Sequence, residues 1–399
     1  MSVHAAAESA PDGTPAAVSA AAACAASATA PGASAAAACA ASATAPGAAA
    51  AGACAAGASG LTVAVVGLGY WGPNLVRNLY ELPQVAAVWG CDLRQERREA
   101  IRRRFPATAL TSSCEHVLAD PAIDALIIAT PISTHHDLAA AALRAGKHVF
   151  IEKPLAASSE EAAALIELAT HAKLVLMPGH TFLYSPPVTL IRSFIESGDL
   201  GEVYFISSSR VNLGLHQQDV SVAWDLGPHD FSILRYWLDE TPASVSALAR
   251  SCILPTVPDV AFVDLEYASG AVAHAELSWL APSKLRRTTI VGSRKMIVYD
   301  DTATEPVRIF DSGAALRDPT SFGEFRMTYR TGDILCPHVD AVEPLACELD
   351  DFCSAIIEGS MPRSSAQLGL EVIRTIEAVD ASLARRGARV DIGQVSLSA

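Results

Sequence analysis

No Lys or Arg occurs before Arg77, so a positively charged secretory leader is not expected. No apolar run reaches the roughly 20 residues of a membrane-spanning helix unless alanine alone is counted, and alanine inserts weakly. No block of Lys or Arg is long enough to make a basic patch; the longest, Arg102 to Arg104, reads as part of a solvated helix. With 29 Lys and Arg against 43 Asp and Glu, the net charge is −14. Such a chain repels nucleic acid and anionic membranes, so neither is expected as a partner. The nine cysteines are odd in number and form no CxxC pair. That excludes a disulfide framework and a zinc ribbon and leaves reduced thiols, as in a cytoplasmic protein. Cys347 and Cys353 fall on an expected helix, where buried apolar packing suits them.

What is present divides into three parts. Residues 1–60 are rich in alanine and repeat Cys-Ala-Ala-Ser-Ala-Thr-Ala-Pro-Gly-Ala from Cys24 and again from Cys39, with Cys54 on the next period. Such a segment has no large side chains to bury and is expected to be a disordered, low-complexity tail. From Leu61 the pattern changes. Thr62–Val66, Val85–Cys91, Ala125–Ala129, Lys147–Ile151 and Leu174–Met177 read as strands. Asn74–Glu81, His136–Ala145 and Ser158–Ala172 read as helices between them. This alternation predicts an α/β domain with a doubly wound parallel sheet over residues 61–181.

Over residues 182–399 the reading is an α+β domain with a largely antiparallel open sheet. A helix at Pro187–Ser197 precedes strands at Val203–Val211, Ala243–Ile253, Val260–Ala268, Ala271–Trp279, Arg287–Val291 and Lys295–Tyr299. Tyr267 to Gly270 reads as a hairpin turn. Helices at Pro344–Glu358 and Leu368–Arg386 close the chain.

Gly67-Leu68-Gly69-Tyr70-Trp71-Gly72 is a G-x-G-x-x-G loop between an expected strand and an expected helix, the context that makes this pattern a dinucleotide site. The first glycine makes the turn, the second admits the pyrophosphate, and the third allows close packing. Asp92 ends the second strand and is placed to bond the adenosine ribose hydroxyls. It repels a 2′-phosphate, which favours NAD over NADP, although Arg94 nearby could hold one. Thr130, Pro131 and His135 follow one strand end and Glu152 with Lys153 follows another. Ligands of open α/β sheets bind at such ends, so these residues are candidates for the nicotinamide half.

Together these residues resemble the Gfo/Idh/MocA oxidoreductase family. The resemblance spans about Leu61 to Ile392 and rests on Val65 to Asn74, on Ala145 to Leu155 with its Glu-Lys-Pro, and on Asp225-Leu-Gly-Pro-His229-Asp230. It implies a Rossmann domain and a C-terminal domain whose sheet supports the substrate pocket and often the contact between subunits, here a homo-oligomer (dimer or tetramer). Gly179 to Pro186, Arg210 to Gly214 and Gly332 to Pro337 further resemble the branch of nucleotide-sugar 3-dehydrogenases. The implied activity is NAD-dependent oxidation at a sugar secondary alcohol, or reduction of the ketone. A dehydrogenase of inositol or a hexose phosphate is the alternative within enzymes, and an NAD-sensing regulatory protein is the alternative outside them.

Oxidising a secondary alcohol removes a hydride from carbon and a proton from oxygen. An imidazole titrates near neutrality, which makes His229 the candidate base. Lys153 is carried over from the family motif as the group that holds the reacting oxygen. Asp225 lies one helical turn before His229 and suits either orienting the imidazole, contacting a substrate hydroxyl or capping a helix. His180 suits either a place near the nicotinamide or the closing of a turn. Arg210 and Asn212 share one face of a strand and suit sugar or phosphate contacts or a structural ion pair. His135 and His136 are adjacent, diverge, and lack a carboxylate cluster, so no metal site is expected.

Overall fold

The computed structural model describes residues 60–214, 216, 220–316 and 327–394. The alanine-rich tail, expected to lack order, lies outside the described residues, apart from Gly60. The first layer comprises β1 (Leu61–Val66), α1 (Gly72–Glu81), β2 (Val85–Cys91), α2 (Gln95–Arg104), β3 (Ala109–Thr111), α3 (Cys114–Ala119), β4 (Ala125–Ile128), α4 (His135–Arg144), β5 (His148–Glu152), α5 (Ser159–Ala172) and β6 (Leu176–Gly179). Its six strands pair in parallel in the order β3-β2-β1-β4-β5-β6. The order reverses between β1 and β4, the switch point at which such sheets bind ligands. The sequence reason is the strand composition. Val63 and Val65, Ile127 and Phe150 face one side, while Ala64 and Val66, Ile128 and Ile151 face the other, and both sides are buried. That two-sided burial is what an unbroken apolar strand requires.

The second layer holds α6 (Pro186–Glu196), β7 (Val203–Leu213), α7 (Val222–Leu238), β8 (Ser244–Arg250), β9 (Val260–Glu266), β10 (Val272–Ser278), β11 (Leu280–Gly292), β12 (Met296–Asp300), β13 (Val307–Leu316), β14 (Met327–Leu335), α8 (Pro344–Glu358), α9 (Ala366–Ala384) and β15 (Val390–Asp391). Its sheet runs β14-β13-β12-β11-β7-β10-β9-β8-β15. Pairing is antiparallel except between β7 and β10. The expected architecture is thus borne out.

The second layer contains more than was expected. Helix α7 runs through Pro228. A proline inside a helix removes a donor, so only the single turn from Asp225 to His229 was expected and not the whole span of α7. Strand β11 begins at Leu280 rather than Arg287, with a register shift against β7 between Leu280 and Leu285.

Helices α8 and α9 return to the first sheet. Phe352 of α8 meets Phe150 of β5 edge-on, with ring centroids 5.8 Å apart. Gly369 of α9 lies so close to Pro178 that a Cβ there would come within 2.9 Å of its ring. One apolar core therefore runs from Val63 and Phe150 through Leu349 to Trp237 and Ile290. No helix of the described residues is long and apolar enough to cross a membrane.

Candidate active site

The glycine loop leaves β1 at Gly67, whose φ is +98°. A Cβ there would stand 2.5 Å from the Ala129 carbonyl oxygen, so only glycine fits the turn between β1 and β4. Gly69 differs. A Cβ on it would meet only the Arg97 guanidinium, at 3.4 Å, and no backbone. The turn and the packing do not demand this glycine, and the space it keeps clear suits a pyrophosphate. The loop runs into α1, whose N-terminus has no side-chain cap; Pro73 has no N–H and the Asn74 and Leu75 amides donate to the Trp71 carbonyl, so at this end the Gly72 amide is the one left for an anion. Tyr70 and Trp71 are exposed on the loop, whereas the Leu68 side chain is buried.

Asp92 is 8% exposed. Its carboxylate accepts from the Leu68 and Arg94 amides, each at 2.8 Å, and from Arg97 Nη1 at 3.2 Å. Burial opposes its ionisation, but these three donors outweigh burial and hold the carboxyl below its ordinary range. The guanidinium on Asp92 is therefore that of Arg97; Arg94 supplies only its backbone amide.

Thr130 and Pro131 follow β4, Glu152 ends β5 and Lys153 follows it. With Trp71, Trp224 and Asp225 they line a cleft of about 330 Å³. His135, expected at the cofactor, is instead 1% exposed and braces two loops from within. Its Nδ1 lies 2.9 Å from the Pro154 carbonyl oxygen and its Nε2 2.9 Å from that of Thr130. Both nitrogens are thus occupied by backbone, and neither is free for a ligand.

Lys153 Nζ donates to the Asp225 carbonyl at 2.7 Å and to its Oδ1 at 3.0 Å. Asp225 Oδ2 accepts from Trp279 Nε1 at 3.1 Å. Asp225 is thus committed to Lys153 and Trp279 rather than to the imidazole one turn further along α7. His229 packs edge-on against Phe182, with ring centroids 5.0 Å apart, and its Nδ1 is buried without a partner. Burial, then Lys153, Arg210, His180 and Arg286, push its proton affinity well below the usual histidine range. His180 is 1% exposed with neither ring nitrogen bonded. Burial, then Lys153, lowers its pKa to about 3.

Arg210 of β7 pairs through Nε with Asp230 of α7, both buried, and its guanidinium lies 4.5 Å over the Phe182 ring. The ion pair anticipated as one of its two roles is present. Its Nη1, and Asn212 Oδ1, are buried without partners. Phe182 also carries Arg286, at 5.4 Å. Phe182, Trp279 and Arg97 were not singled out from the sequence. Asp230 stood in the quoted motif without a role, and Phe182 in the quoted run Gly179 to Pro186. Arg97 had no signal beyond an arginine-rich helix.

A cavity of about 770 Å³ elsewhere is lined by Glu160, Glu240, Glu371 and Arg374 and contains none of these groups. The smaller cleft instead brings together Thr130, Glu152, Lys153 and Asp225.

Comparison with known proteins agrees with this fold. The family model described as an oxidoreductase family with an NAD-binding Rossmann fold matches residues 61–180, and a Gfo/Idh/MocA C-terminal domain model matches residues 188–298. The chain is 28% identical over 299 residues to an inositol 2-dehydrogenase of Rhizobium meliloti, covering 72% of this chain and 86% of that protein. It is 28% identical over 230 residues to a UDP-N-acetylglucosamine 3-dehydrogenase of Acidithiobacillus ferrooxidans, covering 58% and 71%. Among solved structures it is similar to GenD2 from gentamicin A biosynthesis in complex with NAD. There the TM-score is 0.71, the identity 25%, and the coverage 84% of this chain and 97% of that one.

Proposed function

The chain belongs to the Gfo/Idh/MocA family of NAD-binding oxidoreductases, and on that basis we propose that it oxidises C3 of a nucleotide-linked sugar or reduces the corresponding ketone. The observation that carries the reaction is Lys153, fixed by Asp225 in the lining of the cleft, with its charge felt by His229, whose Nδ1 is buried. NAD supplies the hydride acceptor when bound. The glycine loop and the start of α1 would hold its pyrophosphate, and Asp92 would hold the adenosine ribose. Residues 61–181 form the cofactor half and 182–399 the substrate half.

Lys153 Nζ donates to the reacting oxygen and stabilises negative charge as it develops there. Asp225 positions Lys153 by occupying its other donors. His229 accepts the hydroxyl proton. Its lowered proton affinity keeps it neutral and ready at neutral pH. The cationic neighbours that lower it also disfavour the imidazolium, so the proton does not rest there. Arg210 Nη1 and Asn212 Oδ1, both without partners, are free to donate to a substrate oxygen and to accept from a substrate hydroxyl respectively.

Support for the nucleotide-linked sugar is the likeness to the UDP-N-acetylglucosamine 3-dehydrogenase. The longer match to the inositol 2-dehydrogenase favours a second reading, a cyclic polyol without a nucleotide. NADH fluorescence in a panel of UDP-sugars, dTDP-sugars, inositols and hexose phosphates separates them. Turnover confined to inositols would contradict the first reading.

We also infer that a second copy of the chain covers the open face of the larger sheet, giving a dimer or tetramer. Phe205 and Val272 lie opposite each other on that face and are 42% and 47% exposed.

A further inference from the structure

Two tryptophans line the cleft that holds Lys153, and the reaction above uses neither. Trp71 belongs to the glycine loop ahead of α1 and is 44% exposed. Trp224 stands in the first turn of α7, one residue before Asp225. It packs against both apolar clusters, the one that joins the two sheets and the one on the other side of the first sheet. Its Nε1 donates to Asp380 Oδ2 of α9 at 2.7 Å. Three residues earlier on α9, Glu377 accepts from the Ser159 amide at the start of α5, also at 2.7 Å. Residues three apart share a helix face, so the face of α9 that docks on α5 also fixes the Trp224 ring.

A tryptophan that serves packing alone is enclosed. Trp224 is only half-buried and leaves part of its ring in the lining of a cleft of about 330 Å³, beside Lys153 and Asp225. With Nε1 taken by Asp380 the ring has no donor left, so it offers the cleft aromatic carbon alone. A cyclic sugar or cyclitol matches such a surface. Its hydroxyls lie around the ring, and hydrogens that point to one side make an apolar C–H face. Those hydrogens are slightly positive and the face of an indole is negative, so the two attract. We propose that Trp224 is the platform for the substrate ring, that Asp380 is its positioning residue, and that the substrate is a closed ring with an apolar C–H face rather than an open-chain polyol. A hydroxyl at the edge of the ring is then the one that meets Lys153. Platform and Lys153 are set by one turn of helix, because Asp225, next to Trp224, is the carboxylate that fixes Lys153. This rests on the sugar oxidation proposed above.

The panel of UDP-sugars, dTDP-sugars, inositols and hexose phosphates serves as the probe, with sorbitol added as the open-chain polyol. KM and kcat for the best ring, and NAD affinity, are measured for wild type, Trp224→Phe, Trp224→Ala, Asp380→Asn and Asp380→Ala. Stacking of one ring is worth up to about tenfold in binding. Trp224→Ala is expected to raise KM by about that much, with a smaller change in kcat and none in NAD affinity. That is the pattern of lost binding common to substrate and transition state. Trp224→Phe keeps an aromatic face and is expected to recover most of the loss. Asp380→Ala frees the indole and is expected to raise KM by about two- to fivefold. Asp380→Asn keeps an acceptor and is expected to return towards the wild type. The two Asp380 variants serve as the readout if Trp224→Ala does not fold. An unchanged KM in Trp224→Ala, equal KM in Asp380→Ala and Asp380→Asn, a loss of NAD affinity in place of the KM change, or sorbitol oxidised as efficiently as the best ring would overturn the proposal. A wild type that oxidises no member of the panel would contradict the sugar reading itself, and the platform with it.

Discussion

At the scale of single residues, the chemistry is set by which partner each polar group has already taken. Asp225 and His229 are four apart on a helix, so sequence spacing suggests a dyad; the structure gives Asp225 to Lys153 and Trp279 instead. Spacing shows which residues share a face, but not which of several partners across the fold wins. His135 is a second case, since its buried brace depends on the position of Pro154, nineteen residues away. Arg97 leads to a prediction. Asp92 is the ribose partner, and its charge crowds a 2′-phosphate while also holding Arg97. Asp92→Ala should free that guanidinium and narrow or reverse the preference for NAD. Adding Arg97→Ala should then weaken NADP by roughly 10- to 100-fold, the worth of a charged hydrogen bond of about 1.5–3 kcal/mol. Dissociation constants for both cofactors check this. NADP binding to Asp92→Ala that stays as weak as in the wild type would contradict it.

At the scale of elements, legibility followed composition. The strands β1, β4 and β5 are apolar on both faces and were clear in the sequence. The three-residue β3 and six-residue α3 are too short to show a period. Strand β13 alternates buried residues only at Val307 and Ile309, too short a stretch to read, and β14 is almost wholly exposed. Exposed strands carry no buried alternation to read. The large sheet offers a prediction of its own. On its open face Phe205 of β7 sits opposite Val272 of β10, and Phe262 of β9 is 43% exposed. The exposed pair Phe205 and Val272 makes an apolar contact surface, with Phe262 standing apart from it opposite Glu276. Light scattering should return a dimer or tetramer for the wild type and a smaller assembly for the Phe205→Asp, Val272→Asp variant. A monomeric wild type would contradict the inferred assembly.

At the scale of the whole molecule, one core joins the two sheets. Lys153 stands at the end of a strand in the first, Asp225 and His229 on a helix packed against the second. Their approach depends on α8 and α9 crossing back to β5 and β6, a return that local sequence pattern does not encode. The central claim is that Lys153 and His229 act on the reacting oxygen while the glycine loop and Asp92 independently hold the cofactor. The most direct measurement is the pH dependence of turnover for wild type, Lys153→Ala and His229→Asn, on whichever sugar of the panel is oxidised, with NAD affinity measured separately. Lys153→Ala should lose about 10²–10³ in turnover and His229→Asn about 10²–10⁴, both with NAD affinity near the wild type. A histidine whose proton affinity is lowered stays a competent base to lower pH. The wild-type acid limb should therefore lie below the ordinary histidine value of 6.5 and should change in His229→Asn. Near wild-type turnover in either variant, or an acid limb unchanged in His229→Asn, would contradict the account.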